Sequence, residues 1–407
     1  MDLTLPKAPT ELAGEISVTG SKSESNRLLI LQALFPQIEI KNLSESDDTV
    51  ALEKALAINE GTVDIHHAGT AMRFLTAYFA SQEGNEILLT GSERMQQRPV
   101  KLLVDALRSL GADIEYAAAE GFPPLRIRGR KLEQHKVVLK ANVSSQYISA
   151  LMLVAPSLQN GLDINLEGQI TSAPYILMTL ALLKKAGIEG KFENQRILIP
   201  PKEELKPVVF TVESDWSSAS YFYSLAALST SADIQLSSYR SQSNQGDAIV
   251  ARIYEQLGVH TEYSEDRIHL KKVSVKKPKS LNLNLADSPD IAQTIVVTCF
   301  GLGIACELKG LHTLKIKETD RLEALKAELE KLGAKVEITS DSLRLKAGGD
   351  IREDVCIATY NDHRMAMAFA PLALRVPLKF EDAGVVSKSY PKFWEDLEHL
   401  GIFSKQA

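Results

Sequence analysis

One phrase recurs along this chain: an amphipathic helical pattern that ends in glycine, as in VKLLVDALRSLG and RLEALKAELEKLG. The glycines fall at Gly111, Gly187, Gly258, Gly333 and Gly401, at intervals of 76, 71, 75 and 68 residues. Glycine is the residue expected just past a helix C-terminus, where the backbone turns left-handed. Self-similarity at a near-constant period marks a repeated supersecondary unit, and such a unit needs neighbours to bury its apolar face. After four of the five glycines comes a strand-turn-strand pattern, such as GAKVEITSDSLRLKAG, while the fifth stands near the end of the chain.

Ahead of each amphipathic helix lies a segment that is apolar nearly all round, the mark of a helix inside a large core. These segments start near Ser23, Thr70, Ser145, Ser217, Asp290 and His363. The last five starts are separated by 75, 72, 73 and 73 residues, but the first interval is 47, so the first unit reads as abbreviated. With residues Asp47 to Ile58 as its surface helix, the chain contains six units of buried helix, surface helix and β-pairs. Three units per domain is the natural division, and 407 residues leave room for two or three domains with separate cores.

Composition narrows the function classes. Apolar residues at 44% and charged residues at 24% exclude a disordered or collagen-like chain. The balance of 46 Lys and Arg against 52 Asp and Glu gives a net charge of -6, which argues against nucleic acid or an acidic membrane as partner. An anionic ligand must therefore be met by local basic clusters. The three cysteines, Cys299, Cys306 and Cys356, form no CxxC pair, so neither a disulfide framework nor a zinc site is expected, and a cytoplasmic location fits. MDLTLPKAPTEL lacks the features of a signal peptide. The longest apolar run, Ile291 to Cys306, is broken by Gln293, Thr294 and Thr298 and is shorter than the ~20 residues of a membrane span.

The buried helices are preceded by GSKSESNR, HHAGTAMR, NVSSQ, ESDWSSAS, DSPD and YNDHR. Each is rich in helix-capping residues, so capping alone is one reading. Several also carry charges that capping does not require: Lys22, Arg27, Arg73, Arg94, Arg98, Lys317, Arg321, Arg364 and Lys388 lie in or near these ends. Helix N-termini attract anions, and Arg donates parallel hydrogen bonds to carboxylate or phosphate, so a shared anion site is the second reading. GSKS is not a P-loop, because neither required glycine is present, and His66 with His67 has no second cluster at metal-ligand spacing.

The motifs GSKSESNR, HAGTAMR, RMQQRP, SSQ, SAPY, SPD, KETDRL, NDHRMAM and SKSYP stand in an order that resembles the enolpyruvyl transferase family of EPSP synthase, or 3-phosphoshikimate 1-carboxyvinyltransferase. The resemblance implies an α/β fold of two similar domains, each of three βαβαββ units, forming an inside-out α/β barrel with the active site in the interdomain cleft. It implies domain boundaries of 20–212 and of 1–19 with 213–407, since the first strand of the family's chain belongs to the C-terminal domain. The implied reaction joins phosphoenolpyruvate to shikimate 3-phosphate in chorismate biosynthesis, in a cytoplasmic monomer without metal or organic cofactor. Glyphosate is implied as an inhibitor in the phosphoenolpyruvate pocket.

Carried over residue by residue, the resemblance makes Asp290, Glu318 and Lys22 the catalytic residues, with Asp290 and Glu318 as the acid and base and Lys22 in contact with both substrates. Shikimate 3-phosphate would be held by Lys22, Ser23, Arg27, Ser144, Ser145, Gln146, Ser172, Tyr175, Asp290, Thr313 and Lys317. Phosphoenolpyruvate would be held by Lys22, Gly69, Arg98, Gln146, Arg321, Arg364 and Lys388. At Asp290 and Glu318 the residues alone leave a purely stabilising role at a helix start open. The chain departs from the family's usual pattern at His67 and Thr313, where Asn is usual, and at Phe74, where Pro is usual. The sister enzymes that use UDP-N-acetylglucosamine carry a reactive cysteine before the Arg matching Arg98, and GSERMQQRP contains none.

Overall fold

The computed structural model describes residues 1–140, 144–168, 170 and 173–406. The chain folds as two compact units, Gly20–Val212 and Met1–Thr19 with Glu213–Ala407. Each has its own apolar core.

In the unit Gly20–Val212 the buried helices are Lys22–Leu34, Gly69–Ser81 and Ser145–Val154, and the outer helices are Asp47–Leu56, Lys101–Ser109 and Ala173–Lys185. In the other unit the buried helices are Trp216–Leu228, Ala292–Leu302 and His363–Phe369, with Val250–Glu255, Arg321–Lys331 and Phe393–His399 outside. Every residue of Trp216–Leu228 is buried, as a helix apolar on all sides requires. Two of its serines bond across the helix interface: Ser220 bonds Thr294 at 3.0 Å, and Ser224 accepts from Thr298 at 2.7 Å. Two of the six buried helices tighten into 3-10 turns at Ala155–Ser157 and Ala370–Leu374, where Pro156 and Pro371 cannot continue the α-helical bonding.

Each full unit makes a four-stranded sheet in which one parallel pair is followed by two antiparallel strands. In one sheet Glu60–Asp64 runs parallel to Glu86–Thr90, which pairs antiparallel with Leu125–Arg128, and that strand with Asp113–Tyr116. The strands alternate as one-faced sheets should: in Lys136–Lys140, Val137 and Leu139 are buried, whereas Lys136, Val138 and Lys140 are exposed. The repeat glycines Gly111, Gly187, Gly258, Gly333 and Gly401 have φ of 106°, 88°, 84°, 101° and 81°, so each ends its helix in the left-handed region.

The irregular units owe their form to strands taken from far away in sequence. The short first unit is a two-stranded sheet, because Ile38–Lys41 has its parallel partner in Val208–Thr211. The strand Glu11–Ile16 supplies the parallel partner of Ser231–Ser237, although residues 20–212 intervene. In the last unit the strand pair after Gly401 is formed by the two chain ends: Leu3–Leu5 pairs with both Leu378–Phe380 and Lys405–Gln406.

No atom lies within 4 Å of a Cβ built on Gly187, so Gly187→Ala adds only the left-handed backbone penalty. The expected loss is roughly 1–2 kcal/mol of stability in the unit Gly20–Val212. Chemical denaturation checks this, with an unchanged midpoint contradicting it.

Candidate active site

In the unit that contains the C-terminus, the side chains converge on Arg321, the first residue of helix Arg321–Lys331 and only 1% exposed. Its Nη1 donates to Asp290 Oδ1 at 2.9 Å and its Nη2 to Glu318 Oε2 at 2.8 Å. Nε reaches Asp362 Oδ2 at 2.7 Å, and Nη2 reaches Asp362 Oδ1 at 3.3 Å. One guanidinium therefore holds three carboxylates. Local structure explains the placement: Asp290 lies in the 3-10 turn Pro289–Ile291 that opens a buried helix, Glu318 precedes the helix of Arg321, and Asp362 caps His363–Phe369 through the Arg364 amide at 2.9 Å.

Asp290 also faces two other cations. Arg364 Nη2 is 3.1 Å from Asp290 Oδ2, Arg364 Nη1 donates to the Asp290 carbonyl at 3.0 Å, and Lys317 Nζ is 3.5 Å from Oδ1. Burial opposes charge on Asp290, but Arg364, Lys317 and Arg321 outweigh it and hold the carboxyl well below the usual range. Burial pulls the Lys317 ammonium below its ordinary value, with Asp290 resisting. Lys388 Nζ donates to the Asn361 carbonyl at 2.6 Å, next to the same helix start. Ser288 makes no side-chain cap, and the bonds of Asp290 run to cations, which counts against a purely capping role for this motif. Thr313 Oγ1 is buried without a hydrogen-bond partner among the described residues.

In the unit Gly20–Val212 a second cluster lies at the start of Gly69–Ser81. The Arg98 guanidinium rests so close to Gly69 that a Cβ there would be 2.5 Å from Nη1. Arg98 Nε is buried with no partner, and among the described residues no carboxylate pairs with this side chain. Its neighbour Arg73 is fixed by bonds to the Gly69 carbonyl at 3.1 Å and the Pro99 carbonyl at 3.3 Å, and burial, then Arg98, draw its pKa down to about 10. Tyr147 donates to the same Pro99 carbonyl at 2.6 Å. Gln146 Nε2 reaches Thr70 Oγ1 at 3.2 Å and so joins the starts of two buried helices. The Gly69 backbone at a helix start and an Arg without a carboxylate partner are groups of the kind that suit a small anion.

Lys22 and Ser23 open the helix Lys22–Leu34, where Ser21 makes no side-chain cap. Arg27, 2% exposed, donates to Thr179 Oγ1, the Ser23 carbonyl and Ser149 Oγ at 2.8, 2.7 and 2.9 Å. It lies between the rings of Phe74 and Tyr175, 5.4 and 5.6 Å from their centroids, and burial draws its pKa down to about 10. Phe74 thus packs on Arg27. Ser144 accepts from the Gln146 amide at 3.4 Å, and Ser145 is buried. Ser172 lies outside the described residues. His67 Nε2 is 3.5 Å from Asp47 Oδ2. Arg94, one of the cations near these helix starts, is exposed and reaches Gln97.

Three residues of these clusters carried no clear sequence signal. Asp247 sits in the 3-10 turn Gly246–Ile249, where burial and then the charge of Asp290 push its carboxyl up to about 8. Asp48, read only as part of a surface helix, accepts from Asn26 at 2.8 Å and from the Thr70 and Ala71 amides at 3.4 and 3.3 Å. Asp362 lay inside NDHRMAM, yet only its contact with Arg321 reveals its part. Among the described residues no group of three or more His, Cys, Asp or Glu is arranged to hold a metal ion, and no helix is long and apolar enough to cross a membrane.

Comparisons with known proteins agree over nearly the full length. Residues 53–397 match the sequence model of the family described as EPSP synthase (3-phosphoshikimate 1-carboxyvinyltransferase). A 3-phosphoshikimate 1-carboxyvinyltransferase of Bacteroides fragilis is 49% identical over 403 residues, covering 98% of each chain. One of Histophilus somni is 35% identical over 424 residues, covering 96% of this chain and 97% of the relative. In fold, an EPSP synthase of Acinetobacter baumannii superposes with a TM-score of 0.82 at 21% identity, over 99% of both chains.

The charge pattern has a direct consequence. Because Asp290 supports the charge of Lys317, Asp290→Asn is expected to lower the Lys317 pKa further. The pH dependence of Lys317 acylation, read by mass spectrometry, checks this, and an unchanged titration would contradict it.

Proposed function

The chain belongs to the EPSP synthase (3-phosphoshikimate 1-carboxyvinyltransferase) family, and on that premise we propose that the two clusters supply the binding and proton-transfer groups of its reaction. The enzyme transfers the enolpyruvyl group of phosphoenolpyruvate to the 5-hydroxyl of shikimate 3-phosphate, releasing inorganic phosphate. In the addition step the hydroxyl loses its proton and bonds C2, while C3 gains a proton. In the elimination step C3 loses a proton and the C2–O bond to phosphate breaks. The chemistry needs two bound anions, one base and one acid.

The proposed phosphoenolpyruvate ligands are Lys22, the Gly69 backbone, Arg98, Gln146, Arg321, Arg364 and Lys388. Shikimate 3-phosphate is assigned to Lys22, Ser23, Arg27, Ser144, Ser145, Gln146, Ser172, Tyr175, Thr313 and Lys317, with Asp290 at the reacting hydroxyl. The observation that carries this reading is the pair of adjacent bonds from Arg321 to Asp290 and Glu318, at 2.9 and 2.8 Å. The two carboxylates assigned to proton transfer thereby share a guanidinium assigned to the anion. An arriving phosphoenolpyruvate offers Arg321 and Arg364 a competing acceptor. Their hold on Asp290 weakens, its pKa rises, and it becomes a more effective base at the moment substrate is present. Burial leaves Lys317 able to exchange a proton more readily than an ordinary lysine.

The partners in this reading are two small metabolites, without nucleic acid, in a cytoplasmic monomer. Its net charge of -6 agrees with the exclusion of nucleic acid. The direct test is phosphate release from phosphoenolpyruvate with and without shikimate 3-phosphate. Release that requires shikimate 3-phosphate is expected; release supported only by UDP-N-acetylglucosamine would refute the assignment.

Two groups of variants separate chemistry from binding. Asp290→Asn and Glu318→Gln should still bind phosphoenolpyruvate but lose about 10²- to 10⁴-fold in kcat. Near-normal turnover in either would remove that residue from proton transfer. Gly69→Ala drives a methyl group into the Arg98 guanidinium and should raise the phosphoenolpyruvate KM about tenfold, the effect of one weakened charged hydrogen bond. An unchanged KM would refute the anion role of Arg98.

A further inference from the structure

Helix Arg321–Lys331 is fastened to the turn before His363 at two points. At its start Arg321 holds Asp362. Seven residues on, and on the same helical face, stands Glu328, a carboxylate with 0% exposure in a position suited to an apolar side chain. It accepts from the Tyr360 hydroxyl at 2.6 Å, from the Ala358 amide at 3.2 Å and from Lys331 Nζ at 2.7 Å. Burying a charge in this way is unfavourable unless the carboxylate is fully bonded, and here three donors satisfy it.

The turn it grips is an unusual one. Tyr360 and Asn361 both have φ of 54°, and the Asp362 amide donates to the Thr359 carbonyl at 2.8 Å, as in a type I′ turn. Asn tolerates this region, but a bulky aromatic residue rarely enters it without external constraint. The same turn presents three groups of the proposed anion site. Asp362 orients Arg321 and caps the amide of Arg364 two residues on, and the Asn361 carbonyl holds Lys388 Nζ at 2.6 Å.

We propose that Glu328 and Tyr360 are positioning residues, a clamp anchored on the buried Glu328 carboxylate that holds the turn 359–362 in its left-handed conformation and so aims Arg364 and Lys388 at phosphoenolpyruvate. Neither touches substrate. The inference rests on the assignment of Arg364 as a phosphoenolpyruvate ligand.

Steady-state kinetics of Glu328→Gln, Tyr360→Phe and the double variant test it, with Arg364→Ala as reference and the thermal midpoint recorded for each. Glu328→Gln should raise the phosphoenolpyruvate KM about tenfold, the effect of losing one charged hydrogen bond, while the shikimate 3-phosphate KM stays within about twofold. Tyr360→Phe, which removes one hydroxyl from a ring that is 39% exposed, should shift the same constant in the same direction. The double variant should fall short of the product of the single effects, because both act on one contact. If Glu328→Gln does not fold, Tyr360→Phe alone decides. An unchanged phosphoenolpyruvate KM, or both substrate constants rising together with a lower thermal midpoint, would overturn the clamp. If Arg364→Ala raises that KM and the clamp variants do not, only the clamp fails; if Arg364→Ala leaves it unchanged, the assignment beneath it fails as well.

Discussion

The organisation of the C-terminal cluster depends on one buried guanidinium. Arg321 binds Asp290, Glu318 and Asp362, and each bond fixes a different chain segment: the start of a buried helix, the turn before its own helix, and the cap of another. A buried ionic group of this kind adds little stability over an apolar packing of equal volume, but loss of one partner costs about 3–5 kcal/mol because a charge is stranded. Its benefit is chemical. The cations hold Asp290 ionised and the three carboxylates hold Arg321 protonated, so both groups are charged and oriented in the free protein.

The repeats make such a cluster possible by solving a burial problem. Each unit surrounds three buried helices with one-faced sheets and outer helices, and the charged side chains of those helices gather toward their starts. Ser144, Asp215 and Asp362 cap their helices, whereas Ser21 and Ser288 do not, and the start of Gly69–Ser81 is bonded by the distant Asp48. Free or remotely satisfied helix starts are where Lys22, Gly69 and Asp290 stand.

Local signals were legible in the sequence, and pairings between distant residues were not. Glycine spacing located the helix ends, and apolar runs located the buried helices, because both follow from local periodicity and backbone conformation. No periodicity says that Ile38–Lys41 will pair with Val208–Thr211, or that the chain ends will complete one sheet. Motif resemblance marked Asp290, Glu318, Arg321 and Arg364, but not Asp247, whose altered acidity comes from burial beside Asp290. Glu328 read as one more charge on a surface helix; only the packing of Tyr360 and Ala358 against it shows that it faces inward.

In the proposed mechanism Arg321 and Arg364 restrain Asp290 until phosphoenolpyruvate competes for them. The most direct measurement is a carbon-13 carboxyl titration of labelled aspartates, with Asp290→Asn used to assign the resonance, in free enzyme and in enzyme saturated with phosphoenolpyruvate. A depressed Asp290 pKa is expected in the free enzyme, with a clear rise on saturation. An ordinary value in the free enzyme, or no change when binding is independently established, would contradict it.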